Sequence, residues 1–136
     1  MSAAEFSSEL MIRENHLDTF GHVNNATYFQ IFEQARWDII TERGYGLREV
    51  QKHRQGPVIL GAEIKFLREL KLREKITIRT RCEPFEGKTA KIQQTMEKAD
   101  GTVACEVLFT FAFFDLAERK IISPSREWLR ATGLEG

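Results

Sequence analysis

The sequence has 136 residues, its 20 basic and 20 acidic side chains cancel to zero formal charge, and 42% of it is hydrophobic. That is apolar material for a single domain over residues 1–136 with a real core, and it excludes a disordered or fibrous chain. Balanced charge offers nucleic acid no basic excess, and no apolar run approaches the ~20 residues that span a bilayer, so neither nucleic acid nor membrane is an expected partner.

The N-terminus, MSAAEFSSEL, has no basic region followed by an apolar one, so it does not read as a signal peptide. The segment from Phe6 to Arg13 reads as a strand that pairs wherever the sheet has a free edge. A helix is predicted from Ala26 to Arg43, with Asn24 or Asn25 as N-cap and Gly44 at the position after the C-cap. Its apolar residues, Tyr28, Phe29, Ile31, Phe32, Trp37 and Ile40 among them, cover most of the circumference, which predicts a central helix buried on most sides. Residues 46–56 form a polar connection with room for a helical turn.

From Val58 onward the pattern has period two. Val58, Leu60, Ala62, Ile64 and Phe66 share one face of a first run, and Ile76, Ile78, Thr80 and Cys82 one face of a second. Ala90, Ile92, Gln94 and Met96 form a third, and Val103, Cys105, Val107, Phe109, Phe111 and Phe113 a long fourth. Such alternation predicts an antiparallel sheet with one face on the core. Glu86-Gly87-Lys88 and Ala99-Asp100-Gly101 read as hairpin loops, and Ser123 to Thr132 as a short terminal helix. The whole is an α+β domain in which the sheet wraps one long helix.

Cys82 and Cys105 stand far apart in predicted strands and read as buried free thiols in a reducing compartment, with the cytoplasm as address. His16 and His53 read as solvated. The three histidines show no metal-ligand spacing, and no glycine-rich phosphate loop is present, so no metal and no cofactor is expected.

Chemistry concentrates in Asp18-Thr-Phe-Gly-His-Val-Asn-Asn-Ala-Thr-Tyr28, just before the predicted helix. Unpaired N–H groups and the positive end of the helix dipole at that start can polarise a carbonyl and hold a developing oxyanion. A carboxylate earlier in the same loop can attack that carbonyl or activate water. The plainer alternative is an aspartate in a turn followed by two capping asparagines.

Asp18-x-x-Gly21-His22-Val23-Asn24-Asn25-x-x-Tyr28, followed by Phe32-Glu33-x-Ala35-Arg36-Trp37, resembles the hotdog-fold acyl-CoA thioesterases related to 4-hydroxybenzoyl-CoA thioesterase. The likeness is to the branch that hydrolyses long-chain acyl-CoA, and plant acyl-ACP thioesterases carry a similar Gly-His-Val-Asn-Asn signature. The resemblance implies a hotdog fold and hydrolysis of acyl-CoA to a free acid and CoA. It implies Asp18 as nucleophile or general base, the Asn25 N–H as donor to the thioester carbonyl, and His22 as a group orienting Asp18 or the substrate. Gly21, Val23, Asn24, Tyr28 and Glu33 are then expected beside the substrate. Some relatives carry a tyrosine where this chain has Glu14 and a histidine where it has Asn25, so roles for those side chains do not transfer, and Asn25 is left to position the lytic water.

Another branch of the fold holds its carboxylate on the central helix, which makes Glu33 a rival to Asp18. A Glu33–Arg36 pair is the structural alternative. Between Lys65 and Lys91, nine basic residues face four acidic ones, an excess suited either to the CoA phosphates or to a solvated sheet face. The resemblance also implies a homodimer or homotetramer with the site between protomers. An acyl-ACP thioesterase, an acyl-thioester dehydratase or hydratase, and a non-catalytic acyl-CoA-binding protein remain as alternatives.

Overall fold

In the computed structural model, which describes residues 4–134, the alternating runs of the second half become one antiparallel sheet. Its strands are β1 (Glu5–Met11), β2 (Gln55–Phe66), β3 (Lys75–Cys82), β4 (Thr89–Lys98), β5 (Val103–Asp115) and β6 (Lys120–Ile122). They pair in the order β1-β3-β4-β5-β2, and β6 folds back on the end of β5. The helices are α1 (Asn25–Glu42), α2 (Leu47–His53) and α3 (Arg126–Ala131). Helix α1 lies on the concave face, which is the expected hotdog arrangement.

Both ends of α1 follow from their residues. The Asn24 side chain accepts from the Ala26 N–H at 2.9 Å, and at the other end Gly44 takes φ +102°. There Gly44 N–H donates to Thr41 O and Tyr45 N–H to Ile40 O, the paired closing bonds of a Schellman turn. The turn drives Tyr45 inward, fully buried, to pack edge-on against Phe113 and Trp128. Ser125 caps α3 through the Trp128 N–H, as the terminal Ser-Pro-Ser suggested.

The inward residues of β3, β4 and β5 are the predicted ones. Ile78 stands opposite Met96, Thr80 opposite Gln94 and Cys82 opposite Ile92, all buried, with Val107, Phe109 and Phe111 beyond them on β5. Gln94 and Thr80 are the polar residues of this layer, and Gln94 is fully buried. Its amide donates to the Phe32 carbonyl at 3.1 Å and the Thr80 hydroxyl at 3.0 Å, and its oxygen accepts from Arg36 at 3.0 Å. Helix and sheet are thereby tied by hydrogen bonds as well as by apolar contact.

Two expectations are corrected. Helix α1 is not buried on most sides: Tyr28, Ile31, Phe32, Ala35 and Ile40 are, whereas Phe29 is 37% exposed, because a single sheet covers one side of a helix only. In β2, Leu60, Ala62 and Phe66 are exposed, since β2 is an edge strand and a register shift between Ile59 and Gly61 interrupts the alternation. Of the nine cations of the basic span, four stand in ion pairs: Lys65 with Glu106, Arg73 with Glu14, Arg79 with Glu97 and Glu5, and Arg81 with Glu83. The two sheet edges also differ. On β1 the exposed residues are Glu5, Ser7 and Glu9, whereas β2 exposes Ile59, Leu60 and Phe66.

The Gln94 tie has a measurable worth. Gln94→Leu keeps the volume but strands Arg36, Thr80 and the Phe32 carbonyl, so it should lower stability by about 1–3 kcal/mol. Urea denaturation followed by tryptophan fluorescence reads this directly, and an unchanged midpoint would show that the tie carries no net energy.

Candidate active site

The loop before α1 is closed on itself. Leu17 and Val23 form an isolated antiparallel bridge, Asp18 N–H donates to His22 O at 2.8 Å, and Gly21 N–H donates to Asp18 O at 3.1 Å. Gly21 takes φ +80° to make this turn, a conformation that a side chain would strain. Within the loop one carboxylate oxygen of Asp18, Oδ1, accepts from Phe20 N–H at 2.9 Å and His22 N–H at 3.3 Å. The other, Oδ2, makes no hydrogen bond among the described residues. Asp18 is thus a turn aspartate whose two oxygens are divided, one given to the loop and one left uncommitted.

At the helix start, Ala26 N–H is taken by the Asn24 side chain and Thr27 N–H by the Asn24 carbonyl. The Asn25 N–H has no acceptor among the described residues, so it and the helix dipole are available to an incoming oxygen. Asp18 and Asn25 line one cleft of about 300 Å³ together with His22, Val23 and Tyr28, closed on its far side by Phe66, Leu67, Arg68 and Glu69. Tyr28 packs edge-on against Phe66 with centroids 5.1 Å apart. Burial above all, then the charges of Cys105, Glu69 and Glu74, push its hydroxyl up to about 12, so it stays a neutral donor. His22 Nε2 lies 3.2 Å from a Glu69 carboxylate oxygen, in a pair exposed enough to be weak.

Five of the expected residues, Asp18, His22, Val23, Asn25 and Tyr28, therefore meet in one place, with Gly21 and Asn24 shaping the backbone around them. Glu33 does not join them. Two helical turns further along α1, it lines a separate, more apolar cavity of about 290 Å³ with Arg36, Trp37, Val58, Ile92 and Trp128. No Glu33–Arg36 ion pair forms; Arg36 turns inward to Gln94 instead. The sequence places Phe66 on a strand face and Arg68 in the basic span, but does not place Phe66–Glu69 on the wall of the cleft. The only signal for that segment was an apolar pair followed by Arg-Glu at the end of an alternating run. The thiols are inert: burial pushes Cys82 and Cys105 up to about 12. Among the described residues no group of His, Cys, Asp or Glu could hold a metal ion.

His16 differs from the solvated residue expected. It is partly buried, its Nδ1 accepts from the Arg13 N–H at 2.9 Å, and its carbonyl accepts from the Asn24 N–H at 3.3 Å. It therefore braces the helix cap from behind.

The model of the thioesterase-like superfamily matches residues 12–132. The long-chain acyl-CoA thioesterase FadM of Escherichia coli is 29% identical over 117 residues, 85% of this chain and 88% of that protein. A chloroplastic acyl-acyl carrier protein thioesterase of Arabidopsis thaliana, ATL3, is 32% identical over 73 residues, 54% of this chain and 38% of that protein. Among solved structures, Escherichia coli YbaW superposes with a TM-score of 0.81 at 27% identity, over 94% of this chain and 96% of that one.

The brace at His16 makes the cap pH-sensitive. Burial first, then Arg13, lowers the His16 pKa from 6.5, and protonation would also remove the Nδ1 acceptor. Since the folded value lies below the unfolded one, this contribution is intact above 6.5 and is lost as pH falls through the folded pKa. Between about pH 7 and pH 5, the melting temperature of the wild type should fall further than that of His16→Asn, which keeps an acceptor and does not titrate. Parallel slopes in thermal scans would remove His16 from the account.

Proposed function

The chain belongs to the thioesterase-like superfamily, and we propose that it hydrolyses acyl-CoA thioesters to a carboxylic acid and free CoA at the cleft where Asp18 meets the start of α1. The observation that carries this reading is the pairing of an uncommitted carboxylate oxygen with an unclaimed N–H at a helix N-terminus, both lining the same cleft. The thioester carbonyl oxygen accepts from the Asn25 N–H, which stabilises the charge that grows on it. Asp18 Oδ2 either attacks the carbonyl carbon or removes a proton from a water that does so. The C–S bond then breaks, and CoA leaves as a thiolate that takes up a proton; on the direct-attack route the acyl group is left on Asp18 as a mixed anhydride, which water hydrolyses to release the acid and restore the carboxylate. Tyr28, held as a neutral phenol, is a donor to the substrate on the same side, and Arg68, a cation in the cleft wall, is the group for a CoA phosphate.

Because Asp18 Oδ1 serves the loop and Oδ2 the chemistry, Asp18→Asn separates the two roles cleanly. Asparagine keeps the Oδ1 acceptor and loses the charge and basicity. We expect kcat on acyl-CoA to fall by on the order of 10²–10⁴ while substrate binding and melting temperature hold. A folded variant that still turns over within about threefold of wild type would rule out Asp18, and Glu33→Gln would be the next substitution to assay. Acyl carrier protein is the competing thiol carrier, favoured by the likeness to the Arabidopsis enzyme. Parallel thiol-release assays on acyl-CoA and acyl-carrier substrates of one chain length decide between them.

The assembly proposed is a dimer through β2, with the two sheets continuing edge to edge. The Asp18 cleft is walled by Phe66, Leu67 and Arg68 at the end of that strand, so its outer side is left for the partner to complete. Exposed Ile59 and Leu60 supply the apolar contact. Light scattering at assay concentration should report at least twice the chain mass, and Leu60→Lys should shift it towards one chain with loss of activity. A fully active monomer would contradict this assembly.

A further inference from the structure

The Asp18 cleft holds a second unclaimed donor. Tyr28 lines it and is 4% exposed, yet its hydroxyl makes no hydrogen bond among the described residues. The ring is fixed by its edge-on contact with Phe66, and the phenol stays protonated because burial first, then nearby charges, push it up to about 12. Buried hydroxyls are nearly always paired. An unpaired one on a cleft wall points to an acceptor that arrives with a ligand.

Helix geometry says which acceptor. Tyr28 follows Asn25 by three residues, so the two share one face of α1, about 4.5 Å apart along its axis. A helical side chain leans back towards the N-terminus and covers the turn before its own Cα. The Tyr28 side chain is thus carried back towards the first turn, where the Asn25 N–H stands free. Glu69, one of the charges acting on the hydroxyl, is itself a cleft residue, which puts the phenol oxygen on the cleft side. A carbonyl oxygen has two lone pairs and can take both donors, whereas divalent sulfur is a weak acceptor.

We propose that Tyr28 is a catalytic residue whose hydroxyl donates to the same thioester carbonyl oxygen as the Asn25 N–H, so that two donors hold the oxyanion. The inference rests on the acyl-CoA hydrolysis proposed above and narrows the donor role of Tyr28 to the atom on which charge develops. When Asp18 Oδ2, or the water it deprotonates, adds to the carbonyl carbon, the π electron pair moves onto that oxygen. Both hydrogen bonds then strengthen. The pair returns as the C–S bond breaks, and Tyr28 keeps its proton throughout. Donors that gain strength only as charge grows act on the chemical step and little on binding.

Tyr28→Phe removes one oxygen atom and leaves the ring against Phe66. On the best substrate among hexanoyl-, lauroyl- and benzoyl-CoA, kcat should fall by about 10²–10³, with KM within about threefold and the melting temperature held. A second readout is the carbonyl stretch of that substrate, labelled with carbon-13 and bound to Asp18→Asn, which turns over slowly. Infrared difference spectra should place the stretch at lower frequency in Asp18→Asn than in Asp18→Asn combined with Tyr28→Phe. A kcat within about threefold of wild type, a rise in KM alone, or a stretch indifferent to the hydroxyl would each overturn the inference. Should Tyr28→Phe fail to fold, 3-fluorotyrosine replaces both tyrosines of the chain, Tyr45 lying apart in the core against Trp128. The fluorinated phenol is the stronger donor and should lower the stretch further, and an unmoved stretch counts against Tyr28. Equal turnover by wild type and Tyr28→Phe removes this inference and leaves the thioesterase reading standing, whereas a wild type that hydrolyses none of the three substrates removes both.

Discussion

One buried amide sets how α1 lies on its sheet. Gln94 projects from the middle of β4 and grips the helix twice, through the Phe32 carbonyl and through Arg36, while Thr80 holds it from β3. Apolar packing alone tolerates rotation and sliding of a helix over a greasy surface, because the hydrophobic effect has no direction. Hydrogen bonds to a backbone carbonyl and a side chain one turn apart do not. With the rotation fixed, Phe29 faces the open side, and Asn25 lies in the cleft that the end of β2 closes.

The loop that carries Asp18 follows a second economy. A short turn must find acceptors for its own N–H groups, and a carboxylate used wholly for that purpose would have nothing left for a substrate. Giving Oδ1 to Phe20 and His22 holds the side chain in place and leaves Oδ2 for the role proposed for it. Gly21 makes the turn feasible, and His16 supports the cap beneath it through its backbone carbonyl. The rigidity that positions the carboxylate thus comes from the same bonds that a merely structural aspartate would make.

Much of this was visible in the residues. The inward faces of β3, β4 and β5 follow from alternation, because those strands have neighbours on both sides and nothing breaks their pleat. Asn24 and Gly44 marked α1 to within a residue, since end chemistry is local. β2 was misread for the opposite reason. Leu60 and Phe66 look like core in one dimension, but an edge strand with a register shift can show apolar side chains to the outside, and only the fold tells which strand is the edge. Glu33 was misplaced because nearness to a motif along a helix is not nearness in space: eight residues from Asn25 put it about 12 Å away. Glu69 and Arg68 were counted in the basic span, but their place beside His22 and Asp18 was not seen, since they come from a distant part of the chain and no pattern in one sequence encodes that meeting. β6 (Lys120–Ile122) was too short for its period to register.

The unlike edges of the sheet also decide where growth stops. A strand edge is a row of unsatisfied donors and acceptors, and a sheet with two adhesive edges can extend without limit into a ribbon. Here the β2 edge carries exposed apolar side chains, while the β1 edge carries Glu5 and Glu9. In the dimer proposed above, each copy uses up the same edge, and both ends of the joined sheet are β1 strands that carry Glu9 beside a Glu5 paired with Arg79. A further copy that approached along the sheet would meet charged side chains there. In that assembly the protection against fibre formation would lie on the strand farthest from β2.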